Sequence, residues 1–101
     1  MIVRIWRTGI VEERAAEYDA FAHTRSLPMF RRQPGCRGVY FTHTETGRAV
    51  VTIWTNQEAA DALAHSDDYL ATVAAIEATG FLLGPQSVEL LNVNDHWQPD
   101  T

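Results

Sequence analysis

The strand-like segments of this sequence are apolar on both faces, and that restricts the fold more than any other feature of the chain. Ile2-Val3, Ile5-Trp6, Ala49-Val50-Val51, Ile53-Trp54 and Leu90-Leu91 carry apolar side chains at successive positions, whereas a sheet with one wet face alternates apolar with polar. Successive strand residues point to opposite faces, so both faces of the sheet need a cover. The remaining chain holds only enough helix for one of them. A second copy of the same sheet is the economical cover for 101 residues, a length that suffices for one domain but gains from oligomerisation.

The elements follow from periodicity and punctuation. Residues 2–8 are rich in β-branched and aromatic types and predict a strand. From Val11 to about Arg25 the period becomes helical, with Val11, Ala15, Tyr18 and Ala22 on one side and Glu12, Glu13, Glu17 and Asp19 on the other. Leu27-Pro28 is expected to break or kink this helix, Pro28 opening a short turn through Arg32. Gln33-Pro34-Gly35 is a turn, and residues 36–44 and 48–55 are strands joined at Glu45-Thr46-Gly47. Asn56 and Ser66 are N-cap candidates for helical segments running to His65 and to Gly80, the second with Tyr69, Val73 and Ile76 on one face. Phe81 to Pro85 reads as an apolar connection, Val88 to Val93 as the last strand, and residues 95–101 as a polar tail. The order β-α-β-β-α-β predicts an α+β, ferredoxin-like domain over residues 1–94, with a four-stranded antiparallel sheet and helices on one face. The apolar second face adds the expectation of a homodimer.

Composition excludes several function classes. The net charge is −5 and all eight basic residues are Arg; Arg31, Arg32 and Arg37 form a local basic spot without the interleaved aromatics of a nucleic-acid groove, so no nucleic-acid partner is expected. No apolar run reaches membrane-span length, and Met1 to Trp6 does not read as a signal sequence. Cys36 is the single cysteine, which fits a reducing compartment, so the expected location is cytoplasmic. His23, His43, His65 and His96 have no metal-ligand spacing, and no phosphate loop or nucleophile elbow occurs, so neither a metal nor a cofactor is expected.

The junctions between elements match a known pattern. Met1-Ile2-Val3-Arg4-Ile5-Trp6, Met29-Phe30-Arg31-Arg32-Gln33-Pro34-Gly35, Trp54-Thr55-Asn56-Gln57-Glu58-Ala59-Ala60 and His65-Ser66-Asp67-Asp68-Tyr69 resemble the antibiotic biosynthesis monooxygenase family of the dimeric α+β barrel superfamily. The resemblance covers about residues 1–94. It implies that two four-stranded sheets pack into a barrel and that each subunit keeps a cavity between its sheet and its helices. The family includes cofactor-free oxygenases of phenolic or quinol substrates, haem-degrading enzymes and proteins of no assigned activity. The haem-degrading branch uses an Asn on strand one, a Trp on helix two and a His one helix later; Trp6, Leu63 and Val73 stand at those positions.

Strand one sets Arg4, Trp6 and Thr8 on one face and Val3 and Ile5 on the other, and the resemblance turns Trp6 toward the cavity and Val3 and Ile5 toward the partner. An arginine beside a tryptophan in a cavity holds a phenolate or enolate by stabilising developing charge; the alternative is an Arg4 paired with a carboxylate near the sheet end. Arg4 and Tyr69 are thus the candidate catalytic residues, and Trp6, Trp54 and His23 the candidate substrate contacts. Trp54 has core anchoring as its competing role, Tyr69 a packed ring with a wet hydroxyl, and His23 an exposed surface position. Two functions remain open: a cofactor-independent monooxygenase (an oxidoreductase) using O₂ on a small aromatic, quinol or polyketide-like molecule, and a non-catalytic dimeric protein that binds a small ligand.

Overall fold

A computed structural model describes residues 1–99. Strands β1 (Ile2–Ile10), β2 (Cys36–His43), β3 (Gly47–Trp54) and β4 (Leu82–Asn92) form one antiparallel sheet in the order β2-β3-β1-β4. The four-stranded α+β, ferredoxin-like architecture expected from the sequence is the one found. β1 and β3, the strands with the densest apolar runs, occupy the centre. Their even-numbered residues face the helices: Ile2, Arg4 and Thr8 of β1 and Arg48, Val50, Thr52 and Trp54 of β3 are buried there. Val3, Ile5, Val51 and Ile53 on the opposite face remain half-buried, with Tyr40 and Leu91 beside them and exposed.

At Pro28 the structure bears out the short helical turn expected through Arg32, with Pro28 in the first turn of a new helical segment from Leu27 to Arg31, but not an interruption of the helix. The chain does not break there. A 3₁₀ turn (Glu12–Arg14), α1 (Ala15–Phe21), a π-helical stretch (Ala22–Ser26) and α2 (Leu27–Arg31) run on continuously. Proline lacks an N–H and its ring collides with the carbonyl four residues back; the wider π turn immediately before it accommodates both defects. The Leu27 N–H accordingly donates to the Ala22 carbonyl, five residues back.

Gly35, at φ +81°, closes the turn into β2, and its carbonyl accepts from the Thr55 N–H at 2.9 Å. Asn56 caps α3 (Gln57–Leu63) by accepting from the Ala59 N–H, and Ser66 caps α4 (Asp67–Glu77) by accepting from the Tyr69 N–H. Both caps are where the sequence places them.

A second departure concerns β4. The segment from Leu82, which reads as a connection, is already strand, and the chain bulges through Gly84-Pro85-Gln86 between the pairs Arg7↔Ser87 and Gly9↔Leu83. Glycine and proline disguise the strand, yet both are tolerated because β4 is an edge strand and the residues sit in a bulge. Beyond Asn92 the tail has no regular structure through Pro99, and Trp97 is exposed; Asp100 and Thr101 of the expected tail lie outside the described residues.

Buried side chains form two clusters on the helical face. One comprises Ile2, Met29, Phe30, Val50, Trp54, Ala60 and Leu63, the other Ile10, Tyr18, Ala22, Ile76 and Phe81; Trp6 packs against both.

Candidate functional site

A cavity of about 50 Å³ opens at the seam between the two clusters. It lies between the centre of the sheet and α1, α2 and α4. Arg4, Trp6 and Val50 form its floor, Tyr18 and Ser26 one wall, Tyr69, Thr72, Val73 and Ile76 the other. Among the described residues the lining contains no carboxylate, imidazole or thiol. Its volume suits a few waters and is well below the several hundred Å³ of a typical small-molecule site. Occupation by an aromatic ring therefore requires lining side chains to turn aside. Tyr69 and Val73, both half-exposed on α4, border it on the solvent side.

Arg4 is the electrostatic centre of the cavity. Its position on β1 directs the side chain under the helices, where the residue is only 6 % exposed. A buried guanidinium ordinarily finds a carboxylate, because desolvating an unpaired charge is expensive. The other buried arginine follows this rule: Arg48 reaches Asp19 at 3.3 Å and donates to the Gly47 carbonyl at 3.0 Å. Arg4 does not, and among the described residues no carboxylate lies within ion-pair distance of it. Among the described residues Arg4 is therefore not half of an ordinary ion pair. Its side-chain partner is Tyr69, whose hydroxyl accepts from Nη2 at 2.9 Å and whose ring centroid lies 5.4 Å from the guanidinium carbon. Because the Tyr69 oxygen accepts this bond, its own hydrogen is available to the cavity.

Tyr69 is held by local structure. Its backbone N–H is capped by Ser66 Oγ at 3.2 Å, and the same oxygen accepts from Gln33 Nε2 at 3.2 Å. One residue earlier, Asp68 takes a two-pronged bond from Arg32 at 2.8 and 2.9 Å, which holds its carboxyl below the usual carboxylate range. The turn after α2 thus grips the first turn of α4 and fixes Tyr69 over Arg4.

Arg4, Trp6 and Tyr69, brought out by the sequence, share this one cavity. Two other candidates are elsewhere. Trp54 is fully buried beneath α3, and its indole N–H donates to Thr52 Oγ1 at 2.7 Å. It belongs to the core and is absent from the lining. His23 is exposed on the π-helical stretch. Ala22 takes the inward position, and the next residue is turned roughly a quarter-turn away or more. Sequence reading also missed Tyr18 as a lining residue, having used it only to mark the apolar side of α1. Its signal was present: among the apolar-face residues of that helix, Tyr18 alone carries a hydroxyl.

The sequence model of the antibiotic biosynthesis monooxygenase family matches residues 1–75. Solved structures of the same fold include Rv0793 from Mycobacterium tuberculosis, 21 % identical with a TM-score of 0.73 over 96 % of this chain and 98 % of that one. A variant of SnoaB, described as a cofactor-independent oxygenase from Streptomyces nogalater, is 17 % identical with a TM-score of 0.71 over 94 % of each chain. A variant of MhuD carrying two manganese protoporphyrin IX molecules per active site is 24 % identical, with a TM-score of 0.77 over 98 % of this chain and all of that one. No curated protein matches the sequence. The residues present do not fit a haem. Val73 lines the cavity where the resemblance places the iron-ligating His, Leu63 is buried in the core, and no imidazole lines the space. No helix among the described residues is long and apolar enough to cross a membrane.

Proposed function

The chain belongs to the antibiotic biosynthesis monooxygenase family, and from that premise we propose that it is a cofactor-independent monooxygenase of a small phenolic, quinol or polyketide-like molecule. The observation that carries the reading is Arg4, a buried cation facing a cavity in which no carboxylate among the described residues neutralises it. Such a site favours a ligand that brings the negative charge. A phenol or enol entering it loses its proton more readily, because the guanidinium and the Tyr69 hydroxyl stabilise the oxyanion.

The ionised substrate is then the reductant. It passes an electron to O₂, and the radical pair joins to give a carbon–oxygen bond and a hydroperoxide. Cleavage of the O–O bond leaves one oxygen on the substrate as a carbonyl. The other departs as water with two hydrogens from the substrate. The protein supplies orientation against Trp6, a dry enclosure and a fixed positive charge. Oxygen consumption in the presence of a hydroquinone or an anthrone-type ketone, without added flavin or metal, is the expected result. Saturable binding of such molecules with no oxygen uptake over a broad panel would instead support the second reading, a small-ligand-binding protein. That reading draws support from the cavity's lack of a side-chain base.

The active form under this proposal is a homodimer. Val3, Ile5, Val51 and Ile53 form an apolar sheet face that no helix of the same chain covers, continuous with exposed Tyr40 and Leu91. Light scattering at micromolar concentration is expected to give about twice 11.3 kDa. A stable species of one chain mass would refute the barrel. The expected environment remains the cytoplasm, with the lone Cys36 as a free thiol.

A further inference from the structure

A second tyrosine, Tyr18, lines the cavity together with Tyr69. Tyr18 of α1 is 3 % exposed and belongs to the cluster of Ile10, Ile76 and Phe81, whereas Tyr69 packs against the cluster of Met29, Val50 and Trp54. Both line the same space, and Trp6, which touches both clusters, lies between them. The Tyr18 ring is fixed by an edge-on contact with Phe81, centroids 5.9 Å apart, and by the Arg48 guanidinium 5.8 Å from its centre.

Its hydroxyl is not similarly engaged. Burial pushes the Tyr18 phenol up to about 12, with Arg48 opposing the rise and no hydrogen bond contributing. No sealed side-chain oxygen or nitrogen among the described residues lacks a partner. An oxygen with no protein partner must therefore have open space against it, and the cavity is a space that Tyr18 borders. The lining thus combines the Arg4 cation, the Trp6 indole and a second tyrosine, Tyr18, whose hydroxyl makes no hydrogen bond among the described residues.

We propose that Tyr18 is a specificity-determining residue, whose hydroxyl bonds a second oxygen on the ligand, across the ring from the oxygen that Arg4 holds. This rests on the reading of Arg4 as the oxyanion site. A ligand with a single oxygen leaves the Tyr18 hydroxyl dry and unpaired, a penalty of roughly tenfold in affinity. The site therefore selects rings oxygenated at both ends over singly oxygenated rings of the same shape.

Calorimetric titration of the intact protein with hydroquinone and with 4-methylphenol, which replaces one hydroxyl by methyl, tests the assignment. The unsubstituted protein is expected to bind hydroquinone about tenfold more tightly. Tyr18→Phe is expected to abolish that preference by weakening hydroquinone alone, and Arg4→Met to weaken both ligands. Persistence of the preference in Tyr18→Phe overturns the role of Tyr18 while leaving Arg4 in place. Unchanged affinities in Arg4→Met overturn the oxyanion site itself, and failure of both ligands to bind the unsubstituted protein overturns both roles. Tyr18→Phe keeps the ring and its contact with Phe81, so its unfolding midpoint is expected to match the parent's. A large drop would show that the hydroxyl has a protein partner and would count against the proposal.

Discussion

Replacing Arg4 by Ala is expected to slow oxygen uptake with a hydroquinone or anthrone-type substrate about 10²-fold, the order seen when one preorganised donor to a developing anion is removed. The size of the effect follows from the surroundings. Arg4 is buried, and no carboxylate among the described residues shares its charge. Its field acts across a small, partly enclosed and mostly apolar space, where it is screened less than in bulk water. Stability is expected to respond differently. Taking out a buried cation that lacks a counter-ion relieves a desolvation cost, which offsets part of the packing lost with the side-chain stem. Arg4→Met, which retains the stem, is therefore expected to unfold at or above the temperature of the parent while sharing the kinetic defect. Full oxygen uptake in Arg4→Ala would remove Arg4 from the mechanism.

Trp54→Ala is expected to produce the largest loss of stability, about 3–5 kcal/mol, as for other large aromatics truncated in cores. Trp54 is fully buried, contacts α3 through the cluster containing Ala60 and Leu63, and bonds Thr52. Thr52 pairs with Arg4 across the sheet, and its hydroxyl lies 3.5 Å from the Arg4 carbonyl. Truncation would therefore open a void under the strand that carries Arg4. For a domain of this size each kcal/mol moves the midpoint by roughly 4–8 °C, so a fall beyond 10 °C is expected at matched protein concentration, a condition that the proposed dimer imposes. Trp54→Phe keeps most of the apolar area and loses one buried hydrogen bond, about 1 kcal/mol net, together with a smaller void. Because Trp54 does not line the cavity, ligand affinity in Trp54→Phe is expected to stay near that of the parent. A large affinity loss at unchanged stability would return Trp54 to the pocket.

Much of the site was legible in strand one. The period-2 rule puts Arg4 and Trp6 on one face whatever the rest of the chain does, and the Ser66 cap followed by Tyr69, Val73 and Ile76 sets the facing helix. Pattern could not separate Trp54 from Trp6. Both occupy even positions on central strands and face the helices, but Trp54 meets α3 at close range while Trp6 lies at the seam between two clusters. Which aromatic seals a core and which borders a space depends on where the helices land. That placement is a tertiary fact.

The sequence by itself determined the order of elements, the antiparallel sheet, both polar helix caps and the two-faced character of the central strands, because each follows from local backbone chemistry or from the spacing of side chains along one segment. Only the tertiary structure decided the remainder. It carried the helix through Pro28 on a π turn and drew Leu82 to Gln86 into an edge strand despite glycine and proline. It turned His23 to solvent and, among the described residues, left Arg4 without a carboxylate while giving Arg48 one. These outcomes depend on which atoms from distant segments come within a few ångströms of one another, and the energies of bulges, buried charges and cavities are fixed by those neighbours rather than by the residue's own propensity.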